Sequence, residues 1–331
     1  MKIFITLAAV TLLIAATVQN LSPHLPSQKH PRLLYSNQER KDLKLTLLKS
    51  IKTSQNFIGI FVYTLTDKKI ISALNQRAEQ SIPITIWIDK KQQGSLRKKL
   101  HSSIELITRP QKGLMHQKIF LFDDQVFLGS TNLTTTSLRM HQNLMLGLHS
   151  PPLSQHLKRY LLNGTKPDPY FLQATLEFYC LPSKEGEKRI LELIEKAKTE
   201  ILVAQFTFTH PQITEALINA QKRGVEVRVV IDYLSSKGAS KKVVEKLLQN
   251  KIPLSFNRSG ALMHHKMAFI DREIFILGST NWTKSAFSKN QDDLIFLKKL
   301  SKKEIKEVCK IWKHLFWESK KEKAFYPPPF F

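Results

Sequence analysis

With 331 residues the chain can bury one large core or two modest ones, and its composition, 42% hydrophobic and 9% aromatic with no low-complexity tract, excludes global disorder. Lys and Arg number 51 against 27 Asp and Glu, and the resulting formal net charge of +24 favours a polyanionic partner, either nucleic acid or an anionic membrane surface. Two cysteines, Cys180 and Cys309, exclude a disulfide framework and read as unrelated thiols more readily than as a single bridge.

From the N-terminus, Met1-Lys2 and an apolar run over 3–18 have the form of an export signal. The run is shorter than the roughly 20 residues of a free-standing span. Residues 1–20 are therefore expected to be a signal peptide or signal-anchor, and the protein to be secreted, periplasmic or membrane-associated. Ser36 and Glu39 form an S-x-x-E capping box ahead of a helix over 40–52. A short apolar strand at 57–65, a helix over 69–80 and a buried strand ending in Asp89 follow. The same order returns later: a helix over 185–198, a strand at 201–208, a helix over 212–223 closed by Gly224, and a strand ending in Asp232. Strands alternating with helices imply a mixed α/β sheet with helices on its faces. The stretch 151–169, with four prolines and an Asn-Gly pair, reads as the connector. The expected organisation is a first half over 31–150, a linker over 151–175 and a second half over 176–331. The tail from Tyr326 to Phe331 carries three consecutive prolines and cannot be helical, so it docks on the core or touches a membrane interface.

The two sets are copies. Tyr63 matches Phe206, Ala73-Leu74 matches Ala216-Leu217 and Asp89 matches Asp232, all at an offset of 143. The offset becomes 148 at His116 and His264 and 149 at Asn132 and Asn281.

Each copy carries one chemical constellation. The second contains His264-His-Lys266, then Asp271 and Gly278-Ser-Thr-Asn281; the first contains His116-Gln-Lys118, then Asp123 and Gly129-Ser-Thr-Asn132. The residues after each lysine are apolar, so each motif opens a buried strand, and a period of two sends histidine and lysine to the same face. Asp123 and Asp271 fall where a hairpin begins and read as turn or anchoring residues. The first copy has one residue fewer between Asp and Gly, which predicts a tighter turn. The return strand then carries Ser130 and Asn132, or Ser279 and Asn281, back beside the histidine, with glycine permitting close backbone approach. Two lysines and two asparagines supply positive charge and donors for the non-bridging oxygens of a phosphodiester in its transition state. One neutral imidazole serves as nucleophile and one protonated imidazole as acid. A single H-x-K in a lysine-rich chain would mean little; two complete sets at equivalent positions of a repeat mean a site. No metal or cofactor is needed, and no Cys/His pair has zinc-ligand spacing.

These residues resemble the HxKxxxxDxxxxxxGSxN signature of the phospholipase D superfamily, in an arrangement similar to the branch of mitochondrial cardiolipin hydrolase and small bacterial nucleases. The resemblance implies two tandem pseudo-symmetric α-β-α sandwich halves with one active site at their interface. It also implies a covalent phosphohistidine, with catalytic residues His116, Lys118, Asn132, His264, Lys266 and Asn281 supported by Ser130, Ser279, Asp123 and Asp271. Members of the family often carry an acidic residue eleven positions after the motif asparagine; Asp292 stands there in the second copy and Asn143 in the first. The histidines are therefore not equivalent, and the resemblance points to His116 as nucleophile and His264 as acid.

The substrate stays open at this level. Phospholipid head-group hydrolysis comes first, on the apolar N-terminus and tail, which imply contact with a membrane surface. A nuclease fits the charge. A non-catalytic binder of anionic membrane or nucleic acid would have no use for two intact motifs. No obligate protein partner is implied.

Overall fold

Strand sequence in this chain comes in short runs that are apolar on both faces, such as Ile84–Ile88 and Lys118–Phe122, in which every residue is buried. Such runs need cover on both sides. In the computed structural model, which describes residues 23–37, 42–110, 112–172 and 174–319, they form two sheets in two halves. The first half runs β1 (Arg32–Ser36), α1 (Leu43–Thr53), β2 (Ile58–Val62), α2 (Lys68–Glu79), β3 (Ile84–Ile88), α3 (Lys90–Arg97), β4 (Glu105–Ile107), β5 (Lys118–Phe122), β6 (Gln125–Gly129), α4 (Thr135–Arg139), β7 (Leu144–His149) and α5 (Pro151–Asn163). The second runs β8 (Tyr170–Leu172), β9 (Leu176–Cys180), α6 (Lys184–Lys196), β10 (Glu200–Gln205), α7 (Pro211–Lys222), β11 (Glu226–Asp232), α8 (Tyr233–Lys237), α9 (Lys241–Gln249) and β12 (Leu254–Asn257). It closes with β13 (Lys266–Ile270), β14 (Ile274–Gly278), α10 (Lys284–Ser288), β15 (Asp293–Leu297) and α11 (Lys302–Ser319).

The first sheet has the order β1-β7-β6-β5-β2-β3-β4 and the second β8-β9-β15-β14-β13-β10-β11-β12. Apart from β8 they are the same sheet twice. Strands β2, β3 and β4 pair in parallel, as do β10, β11 and β12, while the motif strands β5 and β13 pair antiparallel with β2 and β10. Helices α1 and α2 cover the outer face of the first sheet, and α6, α7 and α9 that of the second. The inner faces share one core, in which Phe61, Trp87, Ile119 and Leu146 join Phe178, Leu202, Phe269 and Ile295 together with α5 and α11. Each half is thus an α-β-α sandwich, and the halves are fused through a common apolar layer.

Several expectations need correction. Ser36 lies in β1, where its residue is buried, and the cap of α1 is Asp42, whose side chain accepts from the Leu45 N–H at 2.9 Å. Glu39, the other member of the expected capping box, lies outside the described residues, as do the expected export segment 1–20 and the tail from Tyr326 to Phe331. Among the described residues no helix is long and apolar enough to cross a membrane. The proline-rich connector is mostly helix. Its paired prolines occupy the first turn of α5, where no N–H is needed, Ser150 caps it, and Gly164 ends it at φ 75°. Leu153, Leu157 and Leu161 recur every four residues and are fully buried against the shared core. Strands β1 and β9 were not expected, because the strand that each pairs with across the repeat, β7 or β15, lies far along the chain. Cys180 and Cys309 are both free thiols.

The hairpin turns differ as the motif lengths predict. Two residues, Asp123 and Asp124, link β5 to β6, whereas three, from Asp271 to Glu273, link β13 to β14. Asp123 and Asp271 share a left-handed φ of 52°. The Asp123 carboxylate accepts the backbone N–H groups of Gln55, Asn56 and Phe57 at 2.7, 2.8 and 2.9 Å, and Asp271 accepts those of Lys198, Thr199 and Glu200 at 2.9, 2.8 and 3.1 Å. Each carboxylate clamps the entry of the neighbouring strand, β2 or β10.

Because α5 fills the shared layer, Leu157→Ala should lower the unfolding free energy by about 2–5 kcal/mol, the cost of a buried cavity. Denaturant titration measures this; a change within ±0.5 kcal/mol, as at a solvent-exposed site, would mean that α5 is only a tether.

Candidate active site

The two motifs meet through the backbone that precedes them. Asp89, at the end of β3, accepts the Met115 N–H through Oδ2 at 3.1 Å, and Asp232, at the end of β11, accepts the Met263 N–H at 3.2 Å. Each approach segment then bridges in parallel to the opposite half, Met115 to Gln291 and Met263 to Gln142. The His116 N–H donates to the Gln291 carbonyl at 2.8 Å, and the His264 N–H donates to the Gln142 carbonyl at 2.9 Å. The residue after each glutamine, Asp292 or Asn143, is thereby delivered to the histidine of the other half.

His116 Nδ1 lies 2.6 Å from Asp292 Oδ1, which also accepts the Ser279 hydroxyl at 2.7 Å. His264 Nδ1 lies 2.9 Å from the Ser130 carbonyl and 3.0 Å from Asn143 Oδ1. Asn143 is held in that orientation because its Nδ2 donates to the Ser137 carbonyl at 2.7 Å and its Oδ1 accepts the Ser130 hydroxyl at 2.9 Å. Both Nδ1 atoms face oxygen acceptors, so each carries a proton and each Nε2 is left for chemistry. Asn132 follows Ser130 by two residues, and Leu133 after it bridges Leu65; Asn281 and Trp282, which bridges Phe208, repeat the arrangement. Both asparagine Oδ1 atoms are buried without a hydrogen-bond partner. Gly129 and Gly278 are required for the close approach: a Cβ there would lie 2.2 Å from the Leu144 carbonyl oxygen or 2.3 Å from that of Asp293.

The lysines are buried beneath the histidines. Lys118 Nζ donates to the His116 carbonyl, and Lys266 Nζ donates to the His264 carbonyl at 2.9 Å. Lys118 Nζ sits over the Tyr63 ring at 5.9 Å and Lys266 Nζ over Phe206 at 4.9 Å. The same rings lie 5.9 and 5.1 Å from His116 and His264.

Electrostatics follow from this crowding. Burial and then the Lys118 charge depress His116, with Asp292 opposing them. Burial, followed by Lys266, Lys118, His116 and His141, takes His264 well below its ordinary value. Burial brings Lys118 down to about 8 against the pull of Asp292 and Asp293, and burial with the Lys118 charge takes Lys266 well below its ordinary value. Buried bases that share positive charge in this way lack an anion. Among the described residues no group of three or more His, Cys, Asp or Glu side chains could hold a metal ion.

Of the residues expected at the site, the structure brings together His116, Lys118, Ser130, His264, Lys266, Ser279 and Asp292, with Asn132 and Asn281 on the adjoining turns. Asp123 and Asp271 stand at the far ends of β5 and β13 and act on the scaffold. Four features went unread. Asp89 and Asp232 matched in the repeat but had no role there, and Tyr63 and Phe206 likewise. His141 was set aside for want of a motif, yet its ring lies 6.2 Å from that of His264. Asp293 is fully buried with its Oδ1 3.4 Å from the Lys118 N and its Oδ2 3.2 Å from the Ser279 N, where the first half has Leu144. The mismatch of Asp293 against leucine was the available signal.

The family described as "Cardiolipin synthase, PLD-like domain" matches residues 47–163 and 190–316, one stretch in each half. The chain belongs to the PLD-like family. Among relatives of this PLD-like chain, the phospholipase D of Rickettsia prowazekii is 37% identical over 110 residues, covering 33% of this chain and 53% of the relative. The human mitochondrial cardiolipin hydrolase is 29% identical over 160 residues, covering 45% and 62%. The chain thus spans little more than half the length of the curated relatives it matches. The crystal structure of the phosphatidylserine synthase of Haemophilus influenzae aligns with a TM-score of 0.73 over 94% of this chain and 92% of that one, at 14% identity, which makes the two-half PLD-like fold a shared one.

Burial, together with the charge of Asp292, lifts the Asp293 carboxyl from 3.8 to about 7 against its Ser279 hydrogen bond. The folded protein therefore holds an extra proton between those values, and the stability this group contributes is lost as pH rises through them. Asp293→Asn removes that loss, so its Tm gain over the wild type should grow by several degrees between pH 5 and pH 8. A gain independent of pH in thermal melts would rule out a buried titrating Asp293.

Proposed function

We propose that this protein is a phospholipase D-type phosphodiesterase that hydrolyses phospholipid head-group bonds through a phosphohistidine, with His116 as nucleophile and His264 as acid and base. The unequal backing of the two histidines carries the assignment. A carboxylate on Nδ1 makes the His116 imidazole more basic at Nε2 and stabilises the positive charge that develops on the ring as it attacks phosphorus. An amide and a carbonyl on His264 leave an imidazolium that parts with its proton more easily.

In the first step the Nε2 lone pair of His116 forms a bond to phosphorus while the bond from phosphorus to the leaving oxygen breaks, and His264 passes its Nε2 proton to that oxygen. In the second, neutral His264 takes a proton from water, the water oxygen bonds to phosphorus, and the P–N bond breaks to free His116. Lys118, Lys266, Asn132 and Asn281 surround the non-bridging oxygens, and the bound anion offsets the mutual repulsion of the buried bases. No step calls for a metal, so EDTA is expected to leave turnover intact. The relatives named phospholipase D and mitochondrial cardiolipin hydrolase support a lipid substrate. The apolar run over 3–18 supports export or membrane attachment. A nuclease is the second reading, favoured by the net charge of +24.

A p-nitrophenyl-activated phosphodiester needs little help from an acid, so His264→Ala should accumulate a phosphoryl adduct on His116, visible by peptide mass spectrometry, while His116→Ala forms none. An adduct on another residue overturns the assignment. On ordinary phospholipid each variant should lose at least about 100-fold in rate. Side-by-side assay of phosphatidylcholine and cardiolipin vesicles against DNA and RNA separates the two substrate classes: histidine-dependent cleavage of nucleic acid alone would replace the lipid reading.

Both histidines lie below their ordinary value of 6.5 in the free protein, so the state with one proton shared between them is populated on the acid side of that value. kcat/KM should be bell-shaped with its maximum there, while kcat holds to higher pH because bound anion raises both groups. A kcat/KM still rising above pH 7 would contradict this pairing.

A further inference from the structure

The site opens along the edge of the two sheets where β3 and β11 end and β5 and β13 begin. The segments that adjoin its residues form its rim: 112–114 and 289–290 on the His116 side, and 139–141, 233–237 and 258–262 on the His264 side. Large aliphatic side chains stand exposed on it: Leu114 at 37%, Met140 at 65% and Leu234 at 71% of their full surface. Each belongs to a segment fixed by the site. Leu114 accepts the Gln291 N–H at 2.8 Å through its carbonyl. Met140 precedes His141, and Leu234 follows the Asp232 that holds Met263. The His264 side is continuous, because Gln142 Nε2 donates to Ser259 Oγ at 2.9 Å and the Arg258 guanidinium lies over the Tyr233 ring at 4.2 Å.

The same segments carry exposed cations, Lys112, Arg139, Lys237, Arg258 and Lys289, and no Asp or Glu at all. We propose that this rim is a docking surface for an anionic phospholipid bilayer, with Leu114, Met140 and Leu234 seated among the head groups and the cations on lipid phosphates. The inference rests on the phospholipid reading and names the surface that would present a bilayer to that site.

Charge complementarity and the kind of apolar group select the occupant. A second copy of the chain would set this cationic face against its own like charges. A nucleic acid would use exposed planar rings for base stacking, but of the two rings on the rim Tyr233 is covered by Arg258 and approached by Lys237 at 5.8 Å, and His141 packs towards the site with its ring 6.2 Å from that of His264. Aliphatic side chains gain only where hydrocarbon meets them, and cations beside them gain at an anionic interface.

The test uses the full chain carrying His116→Ala, so that insertion is read without turnover. An environment-sensitive fluorophore is placed at Met140→Cys, at Leu234→Cys and, as control, at Leu45→Cys, which lies on the outer helix α1. Vesicles of phosphatidylcholine with phosphatidylglycerol should shift emission to the blue at 140 and 234 and leave 45 unchanged, and brominated lipid should quench the first two. The control also separates rim docking from attachment through the N-terminal segment. No shift at 140 and 234, or a shift with single-stranded DNA in place of vesicles, overturns the proposal.

In the catalytically intact chain, Met140→Glu with Leu234→Glu should reduce turnover of vesicle lipid by about 100-fold, on the order of tenfold for each side chain moved from lipid to water. Hydrolysis of a water-soluble short-chain phosphatidylcholine should be unchanged. Equal loss on both substrates would mean that the residues act on the site and not on docking. If the phospholipid reading itself fails, neither lipid is cleaved, while the fluorophore result still decides the rim.

Discussion

The pair of parallel bridges between the halves, Met115 with Gln291 and Met263 with Gln142, is the constraint on which the rest depends. Each histidine stands one residue beyond a bridge, and each orienting residue stands one beyond the partner of the other. The bridges fix two relationships at once: the halves cannot slide without breaking them, and neither histidine finds its Nδ1 partner within its own half. The fused apolar layer serves the same end. Inner faces of both sheets, α5 and α11 form one cluster, so the interface that aligns the histidines is as well packed as a domain interior. Precision at the site comes from a core, not from loops.

What that precision holds in place is an electrostatically costly set of groups. Two imidazoles and two lysine amines share a buried volume; burial lowers all four, and both lysines lower both histidines further. Asp292 and Asp293 offset part of this, and both lie on the His116 and Lys118 side. The two lysines are therefore unequally supported: both carboxylates favour the charged form of Lys118, whose value burial still brings down to about 8, while burial and the Lys118 charge take Lys266 well below its ordinary value. On the phosphodiesterase reading proposed above, a bound anion among these groups would favour their protonated forms. The Tyr63 and Phe206 rings beneath the lysines let the ammonium groups stay near the anion while out of water.

Much of this was legible in the sequence. The duplication, the motif strands, the one-residue difference between the hairpins and the anchoring aspartates all follow from spacing and periodicity, which are properties of contiguous residues. The parts that were not legible have a shared cause. Strands β1 and β9 join their sheets through β7 and β15, more than a hundred residues away. The prolines at 151–152 signal either a connector or a helix start, and the stripe of Leu153, Leu157 and Leu161 decides between them only once there is a core to bury it. Asp292 was singled out by position, but that it serves His116 and not the histidine of its own half depends on the crossing of segments at the interface. His141 carries no motif because its relation to His264 is purely spatial.

The repeat also shows how a duplicated scaffold comes to hold an asymmetric site. At its structural positions the two copies keep interactions even when residues change: buried Lys44 pairs with the α2 cap Asp67 at 2.5 Å, and Glu187 pairs with the α7 cap His210 at 3.1 Å, the same contact with its acidic member on the other side. At the site the differences run the other way, and they do not cancel. Asp292 faces Asn143, Asp293 stands against Leu144, and His141 against Asn290. A symmetric pair of imidazoles would have no preferred nucleophile and would share a proton evenly. Asp292 lies on the His116 ring, Asp293 faces the Lys118 backbone N–H, and the His141 ring lies 6.2 Å from that of His264, and none of the three has a counterpart in the other copy. Together they place two chemically identical rings in unequal surroundings, on a scaffold whose backbone is the same on both sides.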